Sequence, residues 1–150
     1  MDARTRKLDI GSGMFCPKGF IGVDLEPCKA YNPGFLDVQV IANAEQGLPF
    51  KDGVFDVVRS SHSMEHFSKW VTVLCEIVRV AKNEAAFELI YPVNDLNQPG
   101  HVNMMDEQWA ESNVLPFGGY FELRRKEIVP RQTDAGRKFV EARASLVVHK

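Results

Sequence analysis

Lys7-Leu8-Asp9-Ile10-Gly11-Ser12-Gly13 is a short β-favouring run that stops at two glycines one residue apart, and it reads as a strand followed by a tight loop. Working outward, Phe20-Ile21-Gly22-Val23 is a second such run, ending at Asp24 and followed by a Pro, Gly and Asn cluster from Pro27 to Gly34. Val38 to Ile41 is a third. It leads into Asn43-Ala44-Glu45 and a Gly47 to Gly53 connection, after which Phe55-Asp56-Val57-Val58 forms a fourth. From Ser68, a residue suited to an N-cap, the period changes: Trp70, Val73, Leu74, Ile77 and Ala81 recur at three- and four-residue steps, the stripe of a helix facing a sheet. Ala85 to Tyr91 reads as a buried fifth strand ending at Pro92, and Asp106 to Ser112 as a short helix. Phe121 to Val129 and Ala142 to Val148 read as two strands joined by a loop from Pro130 to Lys138. This order predicts an α/β domain with a mostly parallel sheet and a terminal antiparallel hairpin.

The chain has 150 residues, which suits a single domain over 1–150, able to bury a core without disulfides or a structural metal. Its 45% hydrophobic and 25% charged content excludes collagen-like and disordered classes. With 18 Lys+Arg against 20 Asp+Glu, no sequence-wide basic field gathers nucleic acid or anionic membrane. No apolar run reaches the roughly 18 residues of a membrane span, and Met1 to Lys7 lacks the apolar region of a secretory signal, so a cytoplasmic location is expected. Cys16, Cys28 and Cys75 are odd in number and show no C-x-x-C spacing, which fits free thiols in a reducing compartment.

In an open parallel sheet, ligands bind outside the carboxyl ends of the strands, so the residues just past those ends carry the functional information. Gly11 and Gly13 remove side chains where a ligand approaches backbone. Asp24, ending the second strand, is placed to accept hydrogen bonds from a ribose diol, and Asn43, past the third, offers both an acceptor and a donor to an adenine edge. Each alone has a plainer reading as a turn or a solvated cap.

In that order and spacing the sequence resembles the class I S-adenosylmethionine-dependent methyltransferases, and among them the small methyltransferase-domain proteins. The matching stretches are Leu8 to Gly13, Gly22-Val23-Asp24-Leu25, Leu48-Pro49-Phe50-Lys51-Asp52-Gly53-Val54-Phe55-Asp56-Val57-Val58, and Ser60 to Phe67, with Glu76 to Lys82 and Tyr91-Pro92 behind them. The resemblance implies a Rossmann-like sheet binding S-adenosyl-L-methionine and transferring its methyl group to an O or N nucleophile of a small-molecule acceptor. It assigns Asp9, Gly11 and Gly13 to the methionine and ribose portion, Asp24 to the ribose hydroxyls, Asn43 with Ala44 to the adenine, and Ser60 to the methionine end. Asn43 stands where the family more often has Asp.

A larger departure lies between the first two strands. Only Gly11 to Gly19 separates them, with Pro17 inside, too short for the usual crossover helix. An irregular loop hugging the sheet is expected instead, leaving an apolar sheet face for a second copy in a homodimer, or a partner protein, to cover. Without a G-x-G-x-x-G loop and a following helix to hold a pyrophosphate, NAD is disfavoured.

His62, Glu65 and His66 follow the fourth strand, and His101 follows the fifth. If His62 to Phe67 opens a helix, the first three share one face, and His101 from the neighbouring strand end comes within reach. Three readings stand: structural capping, a histidine acting as general base, or a divalent metal. The block resembles the ubiquinone-pathway and small-RNA O-methyltransferases, in which a Glu-x-x-Glu-His segment and a later His hold a divalent ion. With His62 in place of the first Glu, a softer ion such as zinc is favoured. The alternatives are a non-catalytic cofactor-binding or partner-binding protein of the same fold, and a zinc hydrolase, since His62 to His66 also spells H-x-x-E-H. Met104 to Gly119 is the one stretch available as a lid, with Trp109, Phe117 and Tyr120 as apolar contacts.

Overall fold

The computed structural model describes residues 5–13, 15–27, 38–96 and 98–150. Its frame is a seven-stranded sheet of β1 (Lys7–Ile10), β2 (Ile21–Asp24), β3 (Val38–Ile41), β4 (Phe55–Ser61), β5 (Ala81–Pro92), β6 (Phe121–Gln132) and β7 (Lys138–Val148), in the order β3-β2-β1-β4-β5-β7-β6. The first five strands pair in parallel, and β7 pairs antiparallel with both β5 and β6. The order turns back between β1 and β4, which opens a crevice at their carboxyl ends. Cys28 and most of the Pro27 to Gly34 loop lie outside the described residues; Cys16 is buried and Cys75 exposed.

One face of the sheet holds the core. Leu8, Ile10, Val58, Phe87 and Leu89 are fully buried there, against Val73, Leu74, Ile77 and Val80 of α1 (Trp70–Val80). Those helix positions repeat at three and four residues, so burial of the stripe drives the helix onto the sheet. Ser68 does not cap it: the helix begins one residue later than that role requires, with Lys69 at the N-cap and no side-chain cap bond. Instead Glu45 reaches across and accepts from the Ser68 hydroxyl at 3.0 Å and from the Lys69 amide, placing a carboxylate at the helix's positive end. At the other end Arg79 donates to Glu76, Asp52 and the carbonyls of Leu48 and Phe50, which ties the Leu48 to Gly53 connection to the helix.

Three elements depart from the sequence reading. β5 starts at Ala81 rather than Ala85, because Ala81 pairs with Phe55 and Ala86 with Val57, so polar Lys82-Asn83-Glu84 form an outward bulge within the strand. The hairpin strands run on through Gln132 and from Lys138; Pro130 is tolerated because β6 is an edge strand with one unpaired side. The expected helix from Asp106 to Ser112 is only a π turn over Ala110–Val114. Trp109 beside it is no lid: it is 7% exposed, edge-on to Trp70 (5.2 Å) and Tyr91 (5.9 Å) in the core. Phe117 packs on Phe121 instead.

The link between β1 and β2 is a loop that hugs the sheet, with no helix among its described residues. The amides of Gly11 and Ser12 both donate to the Val23 carbonyl, and a Cβ on Gly22 would stand 2.7 Å from Ser12 Oγ and 3.1 Å from Cys16 Sγ. The opposite sheet face is covered by this loop over β1 and β2 and exposed over β5, β7 and β6, and it is not the apolar surface expected. One row across it reads Gly22, Asp9, Arg59, Glu88, Ser145, Arg125 by strand register. Asp9 pairs with Arg59 at 3.0 Å; Glu88, Ser145 and Arg125 are exposed. Alternating charge makes that face soluble without a covering helix. Among the described residues no helix is long and apolar enough to cross a membrane.

Candidate functional site

A cavity of about 310 Å³ opens at the carboxyl ends of β1, β2 and β4, within the size range of small-molecule sites. Gly11, Gly13, Asp24, Asn43 and Ala44 line it together, joined by Leu25, Glu45, His62, Ser63, His66 and Phe67. Gly11 takes φ +67° and lies so near the turn after β4 that a Cβ would stand 2.3 Å from Ser63 Cβ. Only glycine satisfies both demands. Ser63 fastens this junction by donating to the Ile10 carbonyl at 2.8 Å.

Asp24 organises the opposite wall. Its carboxylate accepts from the Gly13 amide at 2.8 Å and the Leu25 amide at 2.7 Å, one bond to each oxygen, so each keeps capacity for a second donor. Asn43 uses its carbonyl oxygen locally, capping the short turn Ala44–Gln46 through the Glu45 amide at 2.9 Å. Two carboxylates and two imidazoles line the cavity, with no Lys or Arg among the lining residues. That balance suits a cationic ligand and is poor for a phosphate.

Two of the sequence-assigned residues stand elsewhere. Asp9 is 1% exposed on the opposite sheet face, under the glycine loop; burial pushes its carboxyl up to about 6 despite the Arg59 guanidinium beside it. Ser60 is fully buried and shares a 2.7 Å hydrogen bond with Ser63, so it supports the cavity floor from beneath without lining it. The alternation of strand side chains explains Asp9: Leu8 and Ile10 face the core, and the residue between them must face away.

The histidine and glutamate cluster does assemble, though not on a helix. Met64–His66 is a single 3₁₀ turn, and His62 precedes it in a left-handed conformation with φ +51°. This is not the long helix on which the H-x-x-E-H signature sits. Glu65 is 1% exposed and neither carboxylate oxygen has a hydrogen-bond partner. Around its Oε1 stand His62 Nδ1 at 3.7 Å, His66 Nε2 at 4.0 Å and His101 Nε2 at 4.0 Å. Burial raises the Glu65 carboxyl above its ordinary range, and the three imidazoles pull it back only in part. His101 arrives because the loop after β5 is stitched to this turn. The amides of Val102 and Asn103 donate to the Glu65 carbonyl, and the Asn103 side chain donates to the carbonyls of Met64 and Phe67.

Several supporting residues carry almost no sequence signal. His66 Nδ1 contacts the Gly100 carbonyl at 2.9 Å, where Pro99-Gly100 looks like any turn. His101 Nδ1 contacts the Asp95 carbonyl, and the Asp95 side chain pairs with Arg137 of the hairpin. Glu141 of β7 is 5% exposed and lies 2.6 Å from His62 Nε2. Burial raises its carboxyl, but the His62 and Arg131 bonds outweigh that and hold it below the ordinary range.

Comparison with known proteins agrees with the fold. Residues 18–89 match a family described as the methyltransferase domain. No curated protein matches the chain. Among solved structures it is similar to the YcgJ protein of Bacillus subtilis, with a TM-score of 0.73 and 19% identity over 99% of this chain and 93% of that one. A SAM-dependent methyltransferase of Methanosarcina mazei gives 0.66 and 16% over 99% and 94%. The cyclase SpnF gives 0.71 and 15% over 99% and 76%. The shared feature is the fold, and SpnF carries the name of a different chemistry on it.

Proposed function

We propose that this chain, which has the class I methyltransferase fold, is an S-adenosylmethionine-dependent methyltransferase acting in the cytoplasm on an O or N nucleophile of a small-molecule acceptor. One observation carries the reading: a single cavity brings Gly11, Gly13, Asp24, Asn43 and Ala44 beside His62 and His66. Asp24, with acceptor capacity left on both oxygens, suits a ribose diol. The glycines admit the ligand to the backbone, and the acidic, lysine-free lining suits a sulfonium. The cofactor supplies an activated methyl group on a cationic sulfur. The protein's work is then to align the nucleophile, exclude water and receive its proton. His62 and His66 are the cavity-lining groups suited to receive that proton, with Glu65 and His101 behind them.

A divalent ion is a second reading of the same cluster, favoured by its lone pairs. The carbonyls of Gly100 and Asp95 only accept, so the Nδ1 atoms of His66 and His101 are the donors there, and in the neutral rings both Nε2 atoms offer a lone pair. Ligand atoms of Glu65, His66 and His101 lie within 4.8 Å of one another, and nothing donates to the Glu65 carboxylate. Converging acceptors with carbonyl-anchored imidazoles fit a metal, and mixed N and O donors fit zinc better than magnesium. Such an ion would polarise an acceptor hydroxyl.

Calorimetry with S-adenosylmethionine tests the function. Wild type binds, and Asp24→Ala loses about 10- to 100-fold in affinity, the equivalent of charge-assisted hydrogen bonds. Equal affinity in the two proteins removes Asp24 from the site, and no uptake by either removes the reading. Turnover on an acceptor library then separates an enzyme from a cofactor-binding protein, and a thermal shift with zinc or a chelator tests the metal.

A further inference from the structure

We infer that Glu141, on the hairpin strand β7, is a positioning residue for His62: it holds the ring by Nε2–H and so presents Nδ1 to Glu65. The inference rests on the proposed reading of the cluster as the acceptor-activating site, and extends that site to the terminal hairpin, outside the methyltransferase-domain match at 18–89.

The geometry leaves the carboxylate one role. Glu141 Oε1 accepts from Arg143 Nε at 2.6 Å and Arg131 Nε at 3.2 Å, so both guanidiniums are spent on that oxygen. Oε2 has a single partner, His62 Nε2 at 2.6 Å. An ionised carboxylate only accepts, so the hydrogen in that contact belongs to the imidazole. The other ring nitrogen is then Nδ1, 3.7 Å from Glu65 Oε1. His62 is otherwise weakly determined: its backbone is left-handed, its side chain is 37% exposed, and Phe139 meets the ring edge-on at 5.9 Å. A buried, doubly anchored carboxylate supplies the constraint that the exposed ring lacks. The same hairpin steadies His101, through Arg137, Asp95 and the Asp95 carbonyl.

Substitution by glutamine gives a directional test. Arg131 and Arg143 have only donors, so they claim the amide oxygen of Glu141→Gln and leave its NH₂ group facing His62, which must then offer a bare Nε2. The ring flips from the Nε2–H to the Nδ1–H tautomer. Long-range ¹H–¹⁵N correlation spectra of the ¹⁵N-labelled full chain in mildly alkaline buffer read this directly, with His62 assigned by the signals lost in His62→Gln. The expected result is a protonated Nε2 in wild type and a bare one in Glu141→Gln, with the His66 and His101 signals unmoved. A bare Nε2 in wild type, or an unchanged His62 ring in the variant, overturns the proposal. Should the variant not fold, the wild-type spectrum alone decides. Cofactor calorimetry on the same samples keeps the two ideas apart. A wild-type chain with a protonated Nε2 that takes up no S-adenosylmethionine sinks the methyltransferase reading and leaves the Glu141 contact standing. Normal uptake with an unmoved ring sinks only the contact.

Discussion

The glycine-loop wall of the cavity and its histidine wall differ in how far along the chain their parts are drawn. Gly13 and Asp24 are 11 residues apart, and Asn43 caps a turn two residues on. His66 and Gly100 are 34 apart, and His62 and Glu141 are 79 apart. The first wall is mostly backbone with its donors satisfied; the second is mostly side chains, and it leaves a buried carboxylate with no partner. The difference teaches where stability has been exchanged for chemistry, since an orphaned buried acid opposes folding and persists where function needs it.

The largest effect is expected where the walls meet. Gly11→Ala must place a Cβ 2.3 Å from Ser63 Cβ in a left-handed backbone, which should cost roughly 2–5 kcal/mol and disturb both walls. Urea unfolding checks this; an unchanged midpoint breaks the claim that the glycine loop seats on the Ser63 turn. Asp9→Asn asks whether the satisfied wall hides a costly acid of its own. The native Asp9 carboxyl lies at about 6 against an ordinary 3.8, so the native state holds this proton more tightly than the unfolded chain does. The stability this group contributes is complete below about pH 4 and is lost as pH rises through about 6, by on the order of 3 kcal/mol. The wild-type stability minus that of Asp9→Asn should fall over that window, and a flat difference shows that Arg59 fully compensates the burial. The smallest effect sharpens the contrast most. Glu65→Gln removes a buried carboxylate that accepts no hydrogen bond and should raise apo stability by about 1–2 kcal/mol, a few degrees in Tm, with cofactor affinity kept and turnover lost. A fall in Tm would give Glu65 a structural role instead.

The two walls also differed in legibility. Gly11, Gly13, Asp24, Asn43 and Ala44 were readable because each sits just past a strand that local propensity announces, and all five line the cavity. Asp9 belongs to the same motif but faces away, since a four-residue strand between Leu8 and Ile10 says nothing about which side carries the ligand. His62, Glu65, His66 and His101 were nameable, yet the expected helix is a single turn, and a left-handed residue brings His62 into place. Glu141, Asp95 and Gly100 gave no usable sign. The loop that replaces the first crossover helix was foreseen from the short Gly11 to Gly19 link, but the charge of the sheet face was not, because Arg59, Glu88 and Arg125 form a row only once the strands are in register.

Residue order alone determined the succession of strands, the loop that replaces the first crossover helix, and the cavity-lining residues that follow the strand ends. These depend on periodicity and on turn chemistry, which act over a few positions. Tertiary structure alone decided which face each acid occupies, which imidazoles gather around Glu65, and that the terminal hairpin reaches His62. Those outcomes depend on pairing register between distant segments, where a slip of one residue moves every side chain to the other side of the sheet.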